Sequence, residues 1–154
     1  TLKSNSIINE LGVLNNGDDF FELENTNGIK LSRSDMSALA QAKAANYCGQ
    51  SIAIKRSGIN IDEFKQLFLS GGFANYIDVD NAKKIGFLID TPNADILKIG
   101  NSALNGAIIY LLDVDSRVRI ESIVNSIQHV ELETDENFFD HFVEGCQFKE
   151  LKVM

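Results

Sequence analysis

Two clusters of small residues hold most of the chemistry that this chain's residue types allow. The apolar run Leu67-Phe68-Leu69 reads as a buried strand and stops at Ser70-Gly71-Gly72. A second, Ile96-Leu97-Lys98-Ile99, stops at Gly100-Asn101-Ser102. Adjacent glycines at the carboxyl end of a strand let the backbone take positive φ and come close to a ligand. In open α/β sheets that edge is also where ligands sit. Two such turns on one sheet form the walls of a cleft, with helix N-termini pointing N–H groups into it. A plain tight strand-to-helix turn uses the same residues, so the glycines alone leave both readings open.

The remaining inventory nominates no catalytic residue and no metal ligand. His129 falls on an expected edge strand and His141 on an expected surface face of a helix, neither beside a nucleophile. Walker A, GxGxxG and HExxH patterns are absent. The carboxylates of Asp78-Val79-Asp80 and Asp113-Val114-Asp115 suit helix caps and solvated turns better than a metal. Cys48 and Cys146 belong to no CxxC pair or Cys/His cluster. Cys48 lies in an alanine-rich helical stretch, where a buried, inert thiol is expected.

The elements that must position the two turns follow from periodicity. Phe20-Phe21-Glu22-Leu23, the turn Asn25-Thr26-Asn27-Gly28 and Ile29-Lys30-Leu31 predict a hairpin. Ser32 or Ser34 caps a long helix in which Met36, Leu39, Ala40, Ala44, Tyr47, Cys48 and Ile52 recur at helical spacing as far as Gly58. Ala42, Ala44 and Ala45 permit close packing, and Lys43, Gln50 or Lys55 could reach a nucleotide from its other face. After the Gly71-Gly72 turn, Asp78 caps a short helix from Val79 to Ile85 closed by Gly86. Further helices are expected over 103–112, 116–126 and 136–144, the last capped by Thr134 or Asp135. His129 to Leu132 alternates like an edge strand. Phe138, Phe139, Phe142 and Val143 form a stripe for core packing, and the tail from Gln147 to Met154 shows no pattern. Strands alternating with helices predict an α/β layer.

Composition sets the outer limits. The chain has 154 residues, about one domain's worth, and one proline. A net charge of −8, from 14 Lys and Arg against 22 Asp and Glu, argues against a nucleic-acid backbone as partner. No apolar run approaches the roughly 20 residues that cross a bilayer, and no secretion signal opens the chain, so a cytoplasmic location is expected. Thr1 in place of Met reads as the start of a processed or excised segment.

Leu69-Ser70-Gly71-Gly72-Phe73-Ala74-Asn75-Tyr76-Ile77-Asp78, with Asn81-Ala82 and Ile85-Gly86, resembles the ATP-dependent reductive activators of corrinoid proteins, the ferredoxin-linked ATPases. The resemblance continues in Gly100-Asn101-Ser102-Ala103-Leu104-Asn105-Gly106-Ala107 and in Val130-Glu131-Leu132, Phe138-Phe139 and Phe142-Val143. It implies an α/β fold, a ribonuclease-H-like lobe with a mixed sheet flanked by helices, of the acetate and sugar kinase, Hsp70 and actin superfamily. Carried over by position, Ser70, Gly71 and Gly72 would touch adenosine or its ribose and α-phosphate. Phe73, Asn75, Gly100 and Asn101 would shape the same cleft. The implied ligand is ATP or ADP, with magnesium in the full-length protein, and the implied partner is the corrinoid protein of a methyl-transfer system.

The chain departs from the family where Ala74 replaces a glycine. The two phosphate-binding hairpins and the cysteines of an iron–sulfur domain are also missing. Residues 1–154 are therefore expected to be a single domain, the C-terminal lobe of a larger actin-like ATPase, inactive alone. The alternative is a non-catalytic docking module for a corrinoid protein or an electron donor. Pairing of two copies as a homodimer stays open.

Overall fold

The computed structural model describes residues 7–15, 17, 19–24 and 26–152. Thr1, Asn25 of the predicted turn, and Val153 and Met154 of the tail lie outside them. The chain divides into two compact units, residues 1–59, 78–90 and 132–154 in one and 60–77 and 91–131 in the other.

The first unit is organised on α1 (Arg33–Ser57). Its start is fixed by a reciprocal cap, in which Ser32 Oγ accepts the Asp35 N–H at 3.2 Å and the Asp35 carboxylate accepts the Ser32 N–H at 2.8 Å. The Ser32 N–H, with the Ser32 hydroxyl second, donates to the Asp35 carboxylate and holds it below its ordinary value. Its end is Gly58, at φ 67°, whose N–H returns to the Lys55 carbonyl. Ahead of it the predicted hairpin forms, β1 (Phe20–Glu22) antiparallel to β2 (Lys30–Ser32). Ile8, Leu14, Met36 and Phe148 make a core against which Phe21, Leu31, Ala40 and Ile85 pack. The tail thus contributes to the core through Phe148 and Leu151, each 1% exposed, a role that its lack of periodicity hid. α3 (Val79–Lys84) begins at Asp78, whose carboxylate accepts the Asn81 N–H at 2.8 Å.

The last helix, α6 (Phe138–Gly145), packs along α1. It starts two residues later than expected: Asp135 Oδ1 accepts the Asn137 N–H in the approach, and Asn137 at the N-cap makes no side-chain cap. Its inward face runs 138, 141, 142, 145, which corrects two expectations. His141 is buried at 1% exposure, edge-on to Tyr47, while Phe139 and Val143 fall on the outer face and are exposed. The expected strand at His129 to Leu132 is absent; residues 127–131 are irregular and Leu132–Thr134 is a 3-10 turn. Alternation makes a strand only beside a partner, and none of the described strands pairs there.

The second unit holds β3 (Gln66–Ser70) parallel to β4 (Asp95–Gly100). Both strands lie where predicted, but they are not buried: Phe68 is 54% exposed and Leu97 38%. α2 (Gly72–Tyr76) follows β3 at once, ahead of the helix expected after Asp78. α4 (Ser102–Leu112) and α5 (Val114–Ser126) form a helical pair with no fully buried residue in either. Arg117 ties them, its guanidinium donating to the Tyr110 and Leu111 carbonyls at the end of α4. Asp113 starts α5 by accepting the Asp115 and Ser116 N–H groups, and its bonds from Ser116 hold its carboxyl below the ordinary range. Across the described residues the sheets are therefore two small ones, one antiparallel and one parallel, among six helices.

Candidate functional site

The second unit brings the two small-residue turns together. β3 and β4 run in register from Gln66 opposite Asp95 to Leu69 opposite Lys98, and then slip so that Ser70 faces Gly100. The extra residue, Ile99, is a bulge at the carboxyl ends of the strands, a place where bulges re-aim the backbone. The Gly100 carbonyl consequently accepts twice, from the Gly71 N–H at 2.7 Å and from Ser70 Oγ at 3.2 Å. Ser70 Oγ also shares a hydrogen bond with Ser102 Oγ in the first turn of α4. Ser70 and Gly71 are thus bonded directly to Gly100, with Gly72, Phe73 and Asn75 on α2 beside them and Asn101 next in chain.

The glycines divide by what surrounds them. Cβ atoms built on Gly12, Gly86 and Gly145 would lie 2.5–2.8 Å from Phe148, the Lys149 carbonyl and Ala44, so these three permit close packing. On Gly71, Gly72 and Gly100 a Cβ meets nothing within 4 Å, so the backbone there is open to approach. Gly28 and Gly58 are open too, at a hairpin turn and a helix end, so openness gains meaning from where the three meet. Gly71 at φ 97° and Gly100 at φ 66° also need a residue that tolerates left-handed backbone.

The side chains around the turns are polar and small or aromatic and exposed. Asn101 Oδ1 accepts the Leu104 N–H at 3.0 Å and so starts α4. Phe73 is 71% exposed and Tyr76 91%. Ala74 is 9% exposed and fits the inner side of α2. Among the described residues no group of three or more His, Cys, Asp or Glu gathers where a metal ion could be held. What the turns present is open glycine backbone, small hydroxyls and exposed aromatic rings.

Sequence reasoning did not nominate Lys98 or Ser102. The one legible signal was a lysine interrupting the apolar run Ile96-Leu97-Lys98-Ile99. Lys98 Nζ donates to the carbonyls of Ile77 at 2.6 Å and Asn75 at 3.3 Å, at the far end of α2.

Of the α1 side chains considered for a nucleotide, two are committed within the first unit. Lys43 is buried and its Nζ donates to the Gly145 and Gln147 carbonyls. The Gln50 amide bonds the Phe87 carbonyl and the Ile89 N–H, and Lys55 is exposed. Burial brings the Lys43 ammonium down to about 8 and pushes the Tyr47 phenol up to about 12. Cys48 is buried as expected, and burial raises its thiol as well. A concavity of about 480 Å³ in the first unit is bordered by Leu11, Val13, Arg33, Met36 and Cys146 and includes none of the nominated residues.

Comparisons with known proteins supply the family. Residues 13–154 match the family model described as the C-terminal domain of RACo, the ASKHA domain. The corrinoid activation enzyme RamQ of Eubacterium limosum is 32% identical over 153 residues, which are 96% of this chain and 26% of that protein. A solved structure, a reductive activator for corrinoid, iron-sulfur protein, superposes with a TM-score of 0.80 at 25% identity, again over 96% of this chain and 26% of the other. The chain thus spans about a quarter of the length of these relatives. The mixed α/β architecture with small sheets flanked by helices fits the ribonuclease-H-like, actin-ATPase fold of that family. With the family model covering all but the first twelve residues, this chain belongs to the C-terminal ASKHA domains of the reductive activators of corrinoid proteins.

Proposed function

We propose that this chain is the nucleotide-side lobe of an ATP-dependent reductive activator of corrinoid proteins, working as one wall of an ATP cleft. The observation that carries the reading is the Gly71 N–H to Gly100 carbonyl bond, which joins two open glycine turns at the carboxyl ends of parallel strands. Ser70, Gly71 and Gly72 would lie against adenosine and its ribose, with Phe73, Asn75, Gly100 and Asn101 shaping the rest of the wall. The magnesium and phosphate contacts, and any iron–sulfur cluster, are assigned to other parts of a larger protein in which residues 1–154 form one lobe. Its partner in this reading is the cobalt-carrying protein of a methyl-transfer system, its electrons come by way of ferredoxin, and its place is the cytoplasm. Catalysis would be positioning and electrostatics on the phosphates, and this lobe contributes positioning.

Calorimetric titration of the chain with ATP and ADP, with and without magnesium, tests the reading. Gly72→Val is the informative variant, because its Cβ meets no protein atom and φ there is not positive. Loss of affinity in the folded variant then reports a blocked ligand and not a disturbed fold. Binding that survives without magnesium and is lost in Gly72→Val supports the adenosine wall. A folded chain that binds neither nucleotide overturns it in favour of the docking module.

A further inference from the structure

We propose that Lys98 is a positioning residue for the nucleotide wall, holding the Gly71-Gly72 turn in place by clamping the opposite end of α2. The inference rests on the adenosine reading of that turn. α2 has five residues and no side-chain cap at Gly71, so it cannot hold its own geometry. β4 supplies what it lacks at both ends. The Gly100 carbonyl takes the Gly71 N–H at one end, and two residues earlier Lys98 Nζ donates to the Ile77 and Asn75 carbonyls at the other. A cation on the last carbonyls of a helix satisfies orphan acceptors and opposes the dipole there. One strand therefore sets the position of the whole segment from Gly71 to Ile77, which includes Gly72, Phe73 and Asn75. The bulge at Ile99 lets Lys98 and Gly100 serve the two ends while remaining close in sequence.

A residue that shapes the wall and a residue that touches phosphate make different predictions for a ligand series. Removing a positioning residue weakens adenosine, ADP and ATP by similar factors. Removing a phosphate contact leaves adenosine unchanged and weakens ATP most. The test is titration of wild type, Lys98→Met, Lys98→Arg and Gly72→Val with all three ligands, together with millisecond-to-second hydrogen exchange. For Lys98→Met we expect a common loss of roughly three- to tenfold, the scale of about 1 kcal/mol, with partial recovery in Lys98→Arg. Exchange at Gly71 and through residue 77 should quicken in Lys98→Met while α1 is unaffected. Unchanged exchange in that segment overturns the inference, as does a loss confined to ATP and ADP. Loss in Gly72→Val with full affinity in Lys98→Met overturns this inference and leaves the adenosine wall standing. A folded wild type that binds none of the three ligands overturns both.

Discussion

Lys43 sits on the buried stripe of α1, at a position that an apolar residue would ordinarily hold. Its stem packs inside and its ammonium meets the Gly145 and Gln147 carbonyls, left without helical partners past the end of α6. Lys43→Met keeps the shape and strands the Gly145 carbonyl, while the Gln147 carbonyl keeps the Lys149 N–H, so we expect a loss of about 1–3 kcal/mol, read from the urea midpoint. Asp135 supplies a pH signature. The hydrogen bond from Arg56, with the Asn137 N–H second, holds its carboxyl down to about 2 from an ordinary 3.8. A depressed carboxylate contributes stability that is complete above about pH 4 and lost as pH falls through 2. The thermal midpoint should fall over that window, and less steeply in Arg56→Met, whose midpoint above pH 4 is already lower. Gly145 is the third such residue. A Cβ there would lie 2.8 Å from Ala44 Cα, a backbone contact that no rotamer relieves, so Gly145→Ala should cost about 1–3 kcal/mol by overpacking. Of these three, Ala44 as a close-packing residue and Asp135 as a carboxylate ahead of α6 were legible beforehand, because small residues and capping carboxylates leave a compositional trace. A lysine's carbonyl partners a hundred positions away leave none.

Elements with local punctuation were the readable ones. The hairpin, α1 with its Ser32 start and Gly58 stop, α3 from Asp78, and α4 and α5 all carry their caps in the few residues around their ends. α2 was missed because its start is a glycine with no capping side chain and its end is held by Lys98, distant in sequence. The inward face of α6 was misjudged because a histidine and two phenylalanines share one stripe, and polarity assigned His141 to solvent. Phe87 to Ile89 shows the opposite case, an apolar run that forms no strand. Asn46 and Gln50 on α1 bond its backbone in place of a neighbouring strand, and Leu88 and Ile89 are buried regardless. Gln50→Ala should therefore loosen that segment, with faster exchange at the Ile89 amide and little change at the Lys98 or Gly71 end of the chain. The two small-residue turns were readable for a related reason: a glycine after an apolar run is a local signal, whereas the bond that joins the two turns is not.

At the scale of the molecule the two units differ in how much they bury. The first has the core around Met36 and Phe148 and the contact of α6 with α1. In the second, among the described residues, only Ala74 and Thr91 are buried, while Leu111, Leu112, Val114 and Val118 are all more than 60% exposed. Low local burial means low local stability. Amides of β3, β4 and α4 should exchange well before those in the middle of α1, and the chain should bind a hydrophobic dye under native conditions. Introducing a charge at Leu112, an exposed site in α4, should reduce that dye signal without lowering the midpoint of the first unit. No helix of the described residues is long and apolar enough to cross a membrane.

The order of residues in the first unit has a consequence for how the chain is made. α1 is complete at Ser57, yet the helix that covers its stripe ends only at Gly145. At translation rates of about 5–20 residues per second, the ribosome needs on the order of ten seconds to bridge that gap. During it Tyr47, Cys48 and Ile52 have no lid, while every residue of the second unit has already been synthesised before α6 begins. The better-buried unit is thus the one that must wait, and a nascent chain halted before α6 presents a bare helix to whatever holds unfinished proteins at the exit tunnel.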